Sequence, residues 1–380
     1  MRSRLRVPPT LRTVEESEDR HATWLELFFD LVFVVAVAEA AHLLEVDQSA
    51  GGILRFVGLF VPVYVAWQGF SIYADRFDTD DLLFRLALLS GMLAIAALAV
   101  QLEEVSHGER TAGFALAYVA LRSIMLALYA RAWRAVPAAR PLIARYGPGY
   151  SLSVAIWLAS LTVDTPARYV FWGVALAVDL SVPPLSIGLI RRVPVHGGHV
   201  VERWALFTLI VLGESVVVVA LGAAGSDWQL DSATAAVLGF AAVAGVWWLY
   251  FDGLDAVEIR RRAPAILTYS LAHLPLLMGL AAMGAGISLL IAHAGDAHLG
   301  AGAAAVYLGG PALFLLALLV TRSVTVAGPH GLGIALKLVA VAILVGVAAA
   351  QSLVPTLVLA ALPAALFTAL IVAERRLLGT

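Results

Sequence analysis

The fold is decided by two apolar stretches, WLELFFDLVFVVAVAEAAH at residues 24–42 and RWALFTLIVLGESVVVVALG at residues 203–222. Each is long enough to cross a hydrocarbon layer about 30 Å thick, because an α-helix rises about 1.5 Å per residue. Each also carries carboxylates at depths where an ionised side chain costs at least about 2.5 kcal/mol. We therefore expect Asp30 and Glu214 to have a partner, a water-filled cavity or a bound proton.

The composition is that of a polytopic membrane protein. Of the 380 residues, 61% are hydrophobic and only 14% are charged, which is unlike an ordinary soluble domain. The apolar runs lack the alternation of lipid-facing β-strands, so the sequence predicts an all-α transmembrane helical bundle of about twelve helices. The expected spans are residues 24–44, 53–73, 82–101, 112–131, 149–164, 168–190, 203–224, 233–252, 265–292, 301–321, 331–349 and 353–373.

The distribution of arginine predicts the orientation. If the N-terminus is cytoplasmic, the opposite loops hold only Arg110 and Arg168. The segments on the cytoplasmic side then hold Arg2, Arg4, Arg6, Arg12, Arg20, Arg76, Arg131, Arg134, Arg140, Arg145, Arg191, Arg192, Arg260, Arg261, Arg262, Arg322, Arg375 and Arg376. Because cytoplasmic loops are enriched in basic residues, we expect a multi-pass protein of the bacterial inner membrane with both termini in the cytoplasm.

Residues that recur 180 positions apart indicate an internal repeat. Trp24 and Trp204 form one such pair, and the others include Trp67 with Trp247 and Phe60 with Phe240. The resulting division has a tail at residues 1–22, two parallel six-helix repeats at residues 23–194 and 195–376, and a short cytoplasmic C-terminus at residues 377–380. The alternative is two unrelated halves with similar aromatic belts.

Three charged residues are predicted near the middle of their spans, namely Arg122, Asp179 and Glu214. If all three are ionised, one negative charge remains uncompensated, and a dry interior favours its protonation or the binding of a cation. The functional interpretation is a proton or cation site. The structural interpretation is that Arg122 pairs with Asp179 or Glu214 while the remaining acid stays neutral.

The first helix adds a second acidic pair. Glu26 and Asp30 are four residues apart and therefore share a helix face, where their like charges repel. Either one of them takes up a proton, or an arginine such as Arg85 or Arg203 bridges them. His273, two residues before Pro275 in the ninth helix, is a further candidate as a proton relay.

The segment VHGGHVVER offers secondary candidates for a metal site. His196, His199 and Glu202 recur every three residues, a spacing at which imidazole and carboxylate can share a helix face and bind zinc. Two glycines lower the helical propensity here, and cytoplasmic histidines are commonly solvated, so the primary prediction includes no metal and no cofactor. The chain has no cysteine, which excludes disulfides and thiolate sites.

Several of these motifs together resemble the bacterial low temperature requirement protein A (LtrA) family. The residues that carry the resemblance are Glu26 to Phe33, His199 to Arg203, Leu212 to Ser215, and His273 to Pro275. The resemblance extends from about residue 20 to about residue 375. It implies a multi-helix inner-membrane protein whose family is named for growth in the cold, and it carries over no molecular activity.

The leading functional hypothesis is an ion- or proton-coupled transporter with Glu214 as the principal acid. Asp179, Asp30 and Glu26 would be accessory acids, Arg122 the countercharge and His273 a relay. The alternatives are a cation channel with two repeats and an intramembrane metal-dependent lipid enzyme, although the sequence favours a non-enzymatic role. The expected partners are the lipid bilayer, H⁺ or a monovalent cation, and a small solute of unknown identity; nucleic acid is not among them.

Overall fold

The protein folds as a set of long helices in a computed structural model that describes residues 7–11, 22–193, 197–225, 229–252, 263–325 and 331–378. Within these residues the long helices are α1 (Trp24–Val46), α2 (Ala50–Arg76), α3 (Leu82–Ala99), α5 (Thr111–Ala135), α6 (Arg140–Ala159), α7 (Ala167–Leu185), α9 (Gly197–Gly225), α10 (Leu230–Phe251), α11 (Ala263–Ala292), α12 (Ala301–Ser323), α13 (Gly331–Ala349) and α14 (Thr356–Leu378). Two short helices, α4 (Leu102–Ser106) and α8 (Ile187–Ile190), lie between them.

The prediction of an all-α, polytopic helical protein is confirmed. Ten of the described helices are long and apolar enough to cross a membrane. The long helices outside that set are α6 and α7. They carry prolines and charged residues, which lower their hydropathy. The only described strands are β1 (Thr10–Leu11) and β2 (Phe77–Asp78), which pair antiparallel.

Contacts between residues divide the chain into two compact units. Unit 1 comprises the described residues within Met1–Glu39, Gly58–Leu206 and Ile259–Leu267. Unit 2 comprises those within Ala40–Val57, Phe207–Glu258 and Thr268–Thr380.

Aromatic side chains fill the core of unit 1, where α5 packs against α3 and α6, and α6 packs against α7. The ring of Trp157 lies 4.5 Å from that of Tyr118 and 5.0 Å from that of Trp172, measured between centroids. Trp157 is fully buried. These contacts hold α5, α6 and α7 together, and α5 and α7 each supply one half of an ion pair described below.

Small residues allow close packing in unit 2. A methyl group added at Gly279 of α11 would lie 2.7 Å from the carbonyl oxygen of Gly310 in α12, which is closer than real Cβ contacts. A methyl group at Gly310 would lie 2.6 Å from the backbone nitrogen of Met283. The backbones of α11 and α12 therefore touch, as is common where transmembrane helices meet at small residues.

The internal repeat remains a prediction. Residues related by the 180-position offset lie in different surroundings, since Trp24 is 88% exposed and Trp204 1%, while Trp67 is fully buried and Trp247 is 47% exposed. If the halves arose by duplication, their aromatic positions have since taken on different packing roles.

Candidate functional site

The first feature of the site is a buried ion pair in unit 1. Arg203 of α9 donates through Nη2 to Oδ1 of Asp30 in α1, at 2.8 Å, and both side chains are almost completely buried. Trp67 of α2 donates its Nε1 hydrogen to the same carboxylate oxygen at 2.8 Å. Three helices thus converge on Asp30. Of the two arginines proposed to bridge Glu26 and Asp30, Arg203 donates to Asp30, whereas Arg85 pairs with the exposed Asp80.

This ion pair is only partly satisfied. Among the described residues, Oδ2 of Asp30 is buried without a hydrogen-bond partner, and so are Nε and Nη1 of Arg203. A buried polar atom without a partner costs about 1–3 kcal/mol, and more when it is charged. The pair therefore keeps unused hydrogen-bonding capacity on both the anion and the cation.

A second polar contact continues along α2 and α9. His199 Nδ1 lies 2.9 Å from Asp75 Oδ1, and both side chains are buried. Arg203 also donates to Ser71 Oγ at 3.3 Å. Ser71 and Asp75 are one helical turn apart, as are Arg203 and His199, so each helix presents its two polar residues on one face. Nε2 of His199 is buried with no partner among the described residues.

Glu26 has a capping role. It is 3% exposed and accepts hydrogen bonds from the backbone nitrogen of Thr23 at 2.7 Å and from its hydroxyl at 2.9 Å. Thr23 Oγ1 in turn accepts from the backbone nitrogen of Glu26 at 3.3 Å, which completes a reciprocal capping box at the start of α1. The backbone nitrogen of Ala22 donates to Glu202 at 3.2 Å. Glu26 and Glu202, both candidate site residues in the sequence, therefore stabilise the start of α1 through hydrogen bonds.

Arg122 and Asp179 form a second buried ion pair in unit 1. Arg122 Nη2 donates to Asp179 Oδ1 at 2.7 Å, and the hydroxyl of Tyr118 donates to Oδ2 at 2.9 Å. The guanidinium carbon of Arg122 lies 4.2 Å from the ring centroid of Tyr150. Both carboxylate oxygens of Asp179 are thus bonded, in contrast to Asp30. Of the two partners considered for Arg122 in the sequence, the structure pairs it with Asp179.

Glu214 belongs to unit 2 and lies in the second half of α9. Its side chain is half-buried, and it has no hydrogen-bond or ion-pair partner among the described residues. The preceding residue, Gly213, is exposed, and a methyl group added there would meet no atom within 4 Å. Glu214 therefore lies on a partly open side of its helix.

His273 is fully buried in unit 2, with a hydrogen bond at each ring nitrogen. Nε2 lies 2.8 Å from the hydroxyl of Tyr250, and Nδ1 lies 2.7 Å from the carbonyl oxygen of Tyr269. Because a carbonyl only accepts, Nδ1 carries a proton that it donates to Tyr269. Both ring nitrogens are thus engaged in hydrogen bonds. Any proton relay through His273 must first break one of these hydrogen bonds.

Comparison with known proteins supplies the family. The model of the bacterial low temperature requirement A protein (LtrA) matches residues 21–372, which is most of the chain. The chain belongs to the LtrA family. A relative, the uncharacterized protein RA0937 of Rhizobium meliloti (strain 1021), is 30% identical over 326 residues, covering 79% of this chain and 77% of the relative.

The motifs by which the chain resembled the LtrA family fall into two groups. Glu26 to Phe33 and His199 to Arg203 meet in unit 1 through the hydrogen bond between Arg203 and Asp30. Leu212 to Ser215 and His273 to Pro275 belong to unit 2. A methyl group added at Gly284 of α11 would lie 3.1 Å from the hydroxyl oxygen of Ser215 in α9. The helices α9 and α11 therefore pack closely within that unit.

The secondary metal candidates of this LtrA chain are only partly described. His196 lies outside the described residues, His199 is bonded to Asp75, and Glu202 accepts from Ala22. Among the described residues, no group of three or more histidine, cysteine, aspartate or glutamate side chains is placed to hold a metal ion.

The ion pair between Asp81 and Arg131 of this LtrA chain was not predicted from the sequence. Asp81 caps α3 by accepting from the backbone nitrogen of Phe84, and it also accepts from Arg131 of α5 at 2.6 and 3.0 Å. The backbone nitrogen of Val7 donates to Asp81 at 3.0 Å, and the carbonyl of Val7 accepts from Arg131 at 2.5 Å. Together with the pairing of β1 and β2, these bonds tie the N-terminal segment to unit 1.

The environment of Asp81 favours its charged form. Burial by itself raises the pKa of this carboxyl, but the hydrogen bonds from Phe84, Val7 and Arg131, with the positive charge of Arg131, hold the pKa below its ordinary value of 3.8. The position of Asp81 just before an apolar run is the signal that could have identified it as a helix cap.

Proposed function

We propose that this LtrA-family protein is a proton-coupled transporter of the bacterial inner membrane, with both termini in the cytoplasm. The single observation that carries the proposal is the incompletely bonded ion pair of Asp30 and Arg203. Its buried atoms leave one carboxylate oxygen and two guanidinium nitrogens unused among the described residues. A site that must take up and release cargo needs such unused capacity, whereas a pair that only holds helices together does not.

The comparison with the other buried pair supports this distinction. Asp179 accepts one hydrogen bond at each carboxylate oxygen, from Arg122 and from Tyr118. Asp30 receives both of its bonds at Oδ1. Nε of Arg122 is also buried without a partner among the described residues, so the two pairs differ at the carboxylate and not at the guanidinium group. A buried carboxylate oxygen without a hydrogen bond is costly, and Asp30 has one whereas Asp179 does not. We assign a structural role to Arg122 and Asp179 and the coupling role to Asp30.

The chemistry around Asp30 favours a proton over a metal cation. Its bonded neighbours, Trp67 and Arg203, present N–H groups, which repel a cation. Alkali and alkaline-earth cations need several oxygen ligands, whereas a proton needs only one carboxylate oxygen.

Glu214 is proposed as a second protonatable acid. It is half-buried in an apolar helix and has no partner among the described residues, so its ionised form is poorly stabilised within a bilayer. Its substitution by glutamine keeps the size of the side chain and removes the proton site. We expect Glu214→Gln to lower proton transport and to leave the thermal stability of the protein nearly unchanged.

The test is proton flux into liposomes that contain the purified protein and a pH-sensitive dye. With chloride and nitrate present, an imposed pH gradient should decay faster than in protein-free liposomes. Asp30→Asn should reduce the decay to the protein-free rate, while the matched variant Asp179→Asn should keep the wild-type rate per folded molecule. A wild-type rate equal to that of empty liposomes, or an Asp30→Asn rate equal to wild type, would overturn the proposal.

A further inference from the structure

Arg203 has more hydrogen-bond donors than its neighbours use. Its Nη2 donates hydrogen bonds to Asp30 and Ser71, while Nε and Nη1 are buried without partners among the described residues. The guanidinium group therefore holds three N–H hydrogens that nothing described accepts. The side chain is only 2% exposed, so bulk solvent does not satisfy them.

The other charged groups of this region are already engaged. Glu26 accepts from Thr23, Glu202 accepts from Ala22, Asp75 is paired with His199, and Arg76 donates to the carbonyl of Val193 at 3.2 Å. Nε and Nη1 of Arg203 thus hold three unused N–H hydrogens against one unused carboxylate oxygen, Oδ2 of Asp30, and this excess of donors favours an anion.

We infer that Arg203 binds a small monovalent anion when Asp30 is protonated, so that proton and anion share one site and move together. This inference rests on the proposed function and names its second substrate. With Asp30 ionised, the charge of Arg203 is compensated. With Asp30 neutral, Arg203 loses the charge of the carboxylate bonded to it, and its unused N–H groups favour an anion in its place.

The coupling follows from charge balance. An anion at Arg203 raises the affinity of Asp30 for a proton by the same factor by which the proton raises the affinity for the anion. One proton and one monovalent anion carry no net charge. Transport should therefore be electroneutral and insensitive to membrane potential.

The binding test uses purified protein, with sodium nitrate and sodium chloride as probes and a bulky organic anion as the background salt. We expect nitrate or chloride to raise the melting temperature at about pH 5.5, with an apparent affinity at least about tenfold weaker at about pH 8. Arg203→Gln should abolish the effect. Asp30→Asn, which mimics the protonated acid, should bind the anion with nearly equal affinity at both pH values. The matched variant Asp179→Asn should keep the wild-type dependence on pH.

A second measurement needs no variant and covers the case in which Asp30→Asn fails to fold. Adding nitrate or chloride to weakly buffered wild-type protein at about pH 8, where Asp30 is ionised before the anion binds, should cause uptake of about one proton per anion bound. Anion binding without proton uptake, or stabilisation that persists in Arg203→Gln, would overturn the inference. If protons cross the membrane but neither anion binds, the inference fails and the proposed function stands. If an anion binds with proton uptake but no protons cross, the proposed function fails.

Discussion

Arg203 donates to Asp30 at 2.8 Å across 173 residues of sequence. This one hydrogen bond joins the two stretches by which the fold was predicted, and it explains how a carboxylate is kept within an apolar helix. The carboxylate is neither exposed to lipid nor isolated, because it faces α2 and α9 in unit 1. Its second oxygen stays free of hydrogen bonds from the described residues, and the functional proposal rests on that oxygen.

Removing either partner of this pair should destabilise the protein more than removing both. Asp30→Leu leaves Arg203 as an unpaired buried cation, and Arg203→Met leaves Asp30 as a buried acid, so each should cost about 3–5 kcal/mol of unfolding free energy. The double variant should recover much of that loss, apart from the lost bond to Trp67. Unfolding in detergent measures the cycle. Additive losses would contradict a direct energetic coupling of Asp30 with Arg203.

Glu26 should be needed for stability and not for proton transport. Thr23→Ala removes the reciprocal cap at the start of α1 and should cost about 1 kcal/mol. Glu26→Gln keeps an acceptor for the backbone nitrogen of Thr23 and should retain wild-type proton flux per folded molecule. Melting temperature and liposome flux measure the two effects separately. A loss of flux in Glu26→Gln at normal stability would instead place Glu26 in the coupling site.

The N-terminal segment should be released at low pH. Because the pKa of Asp81 is lower in the folded protein than in the unfolded chain, its stabilising contribution is complete above the ordinary value of 3.8 and is lost as the pH falls through the lower folded value. Asp81→Asn should remove this contribution at neutral pH and flatten the dependence on pH below about pH 4.

Hydrogen exchange of residues 7–11 and the melting temperature measure the release. The control is Asp80→Asn, since Asp80 pairs with the exposed Arg85 and not with Val7. Equal protection of the segment in wild type and Asp81→Asn would contradict the role given to Asp81.

The close approach of α11 and α12 should make two glycines irreplaceable. Gly279→Ala and Gly310→Ala each place a methyl group against backbone atoms at 2.8 Å or less, so each should cost about 1–3 kcal/mol by overpacking. Gly309→Ala is the matched control, because a methyl group there meets no atom within 4 Å and improves helix propensity. Unfolding in detergent compares the three. Equal stability of Gly310→Ala and Gly309→Ala would contradict the packing.

The helices were predictable wherever an apolar run was uninterrupted. The observed helix ends differ from the predicted ones where tertiary contacts override local helix propensity. We predicted a span from residue 203, yet α9 begins at Gly197 despite two glycines. The bonds of His199 and Glu202 to α2 and to the start of α1 hold that first turn. Likewise α6 begins at Arg140, well before the predicted residue 149. The predicted start was too late because Arg140, Arg145 and Pro148 resemble a polar loop in the sequence.

The buried charged residues were predictable from the sequence more than their pairings were. The cost of burying charge identified Asp30, Arg122 and Asp179, and it proposed Arg203 as a bridge. Nothing in the sequence indicated Trp67 as a donor to Asp30, because tryptophan is common in membrane helices for other reasons. The partition of Asp179 into unit 1 and Glu214 into unit 2 depends on tertiary packing, which helix spans alone do not specify.

Whether Asp30 carries a transported proton is tested most directly by luminal pH in proteoliposomes that hold equal amounts of folded wild-type or Asp30→Asn protein. We expect the wild type to dissipate an imposed pH gradient with chloride or nitrate present, at a rate unaffected by membrane potential. We expect Asp30→Asn to match protein-free liposomes. Wild-type flux retained in Asp30→Asn would show that Asp30 does not carry the proton.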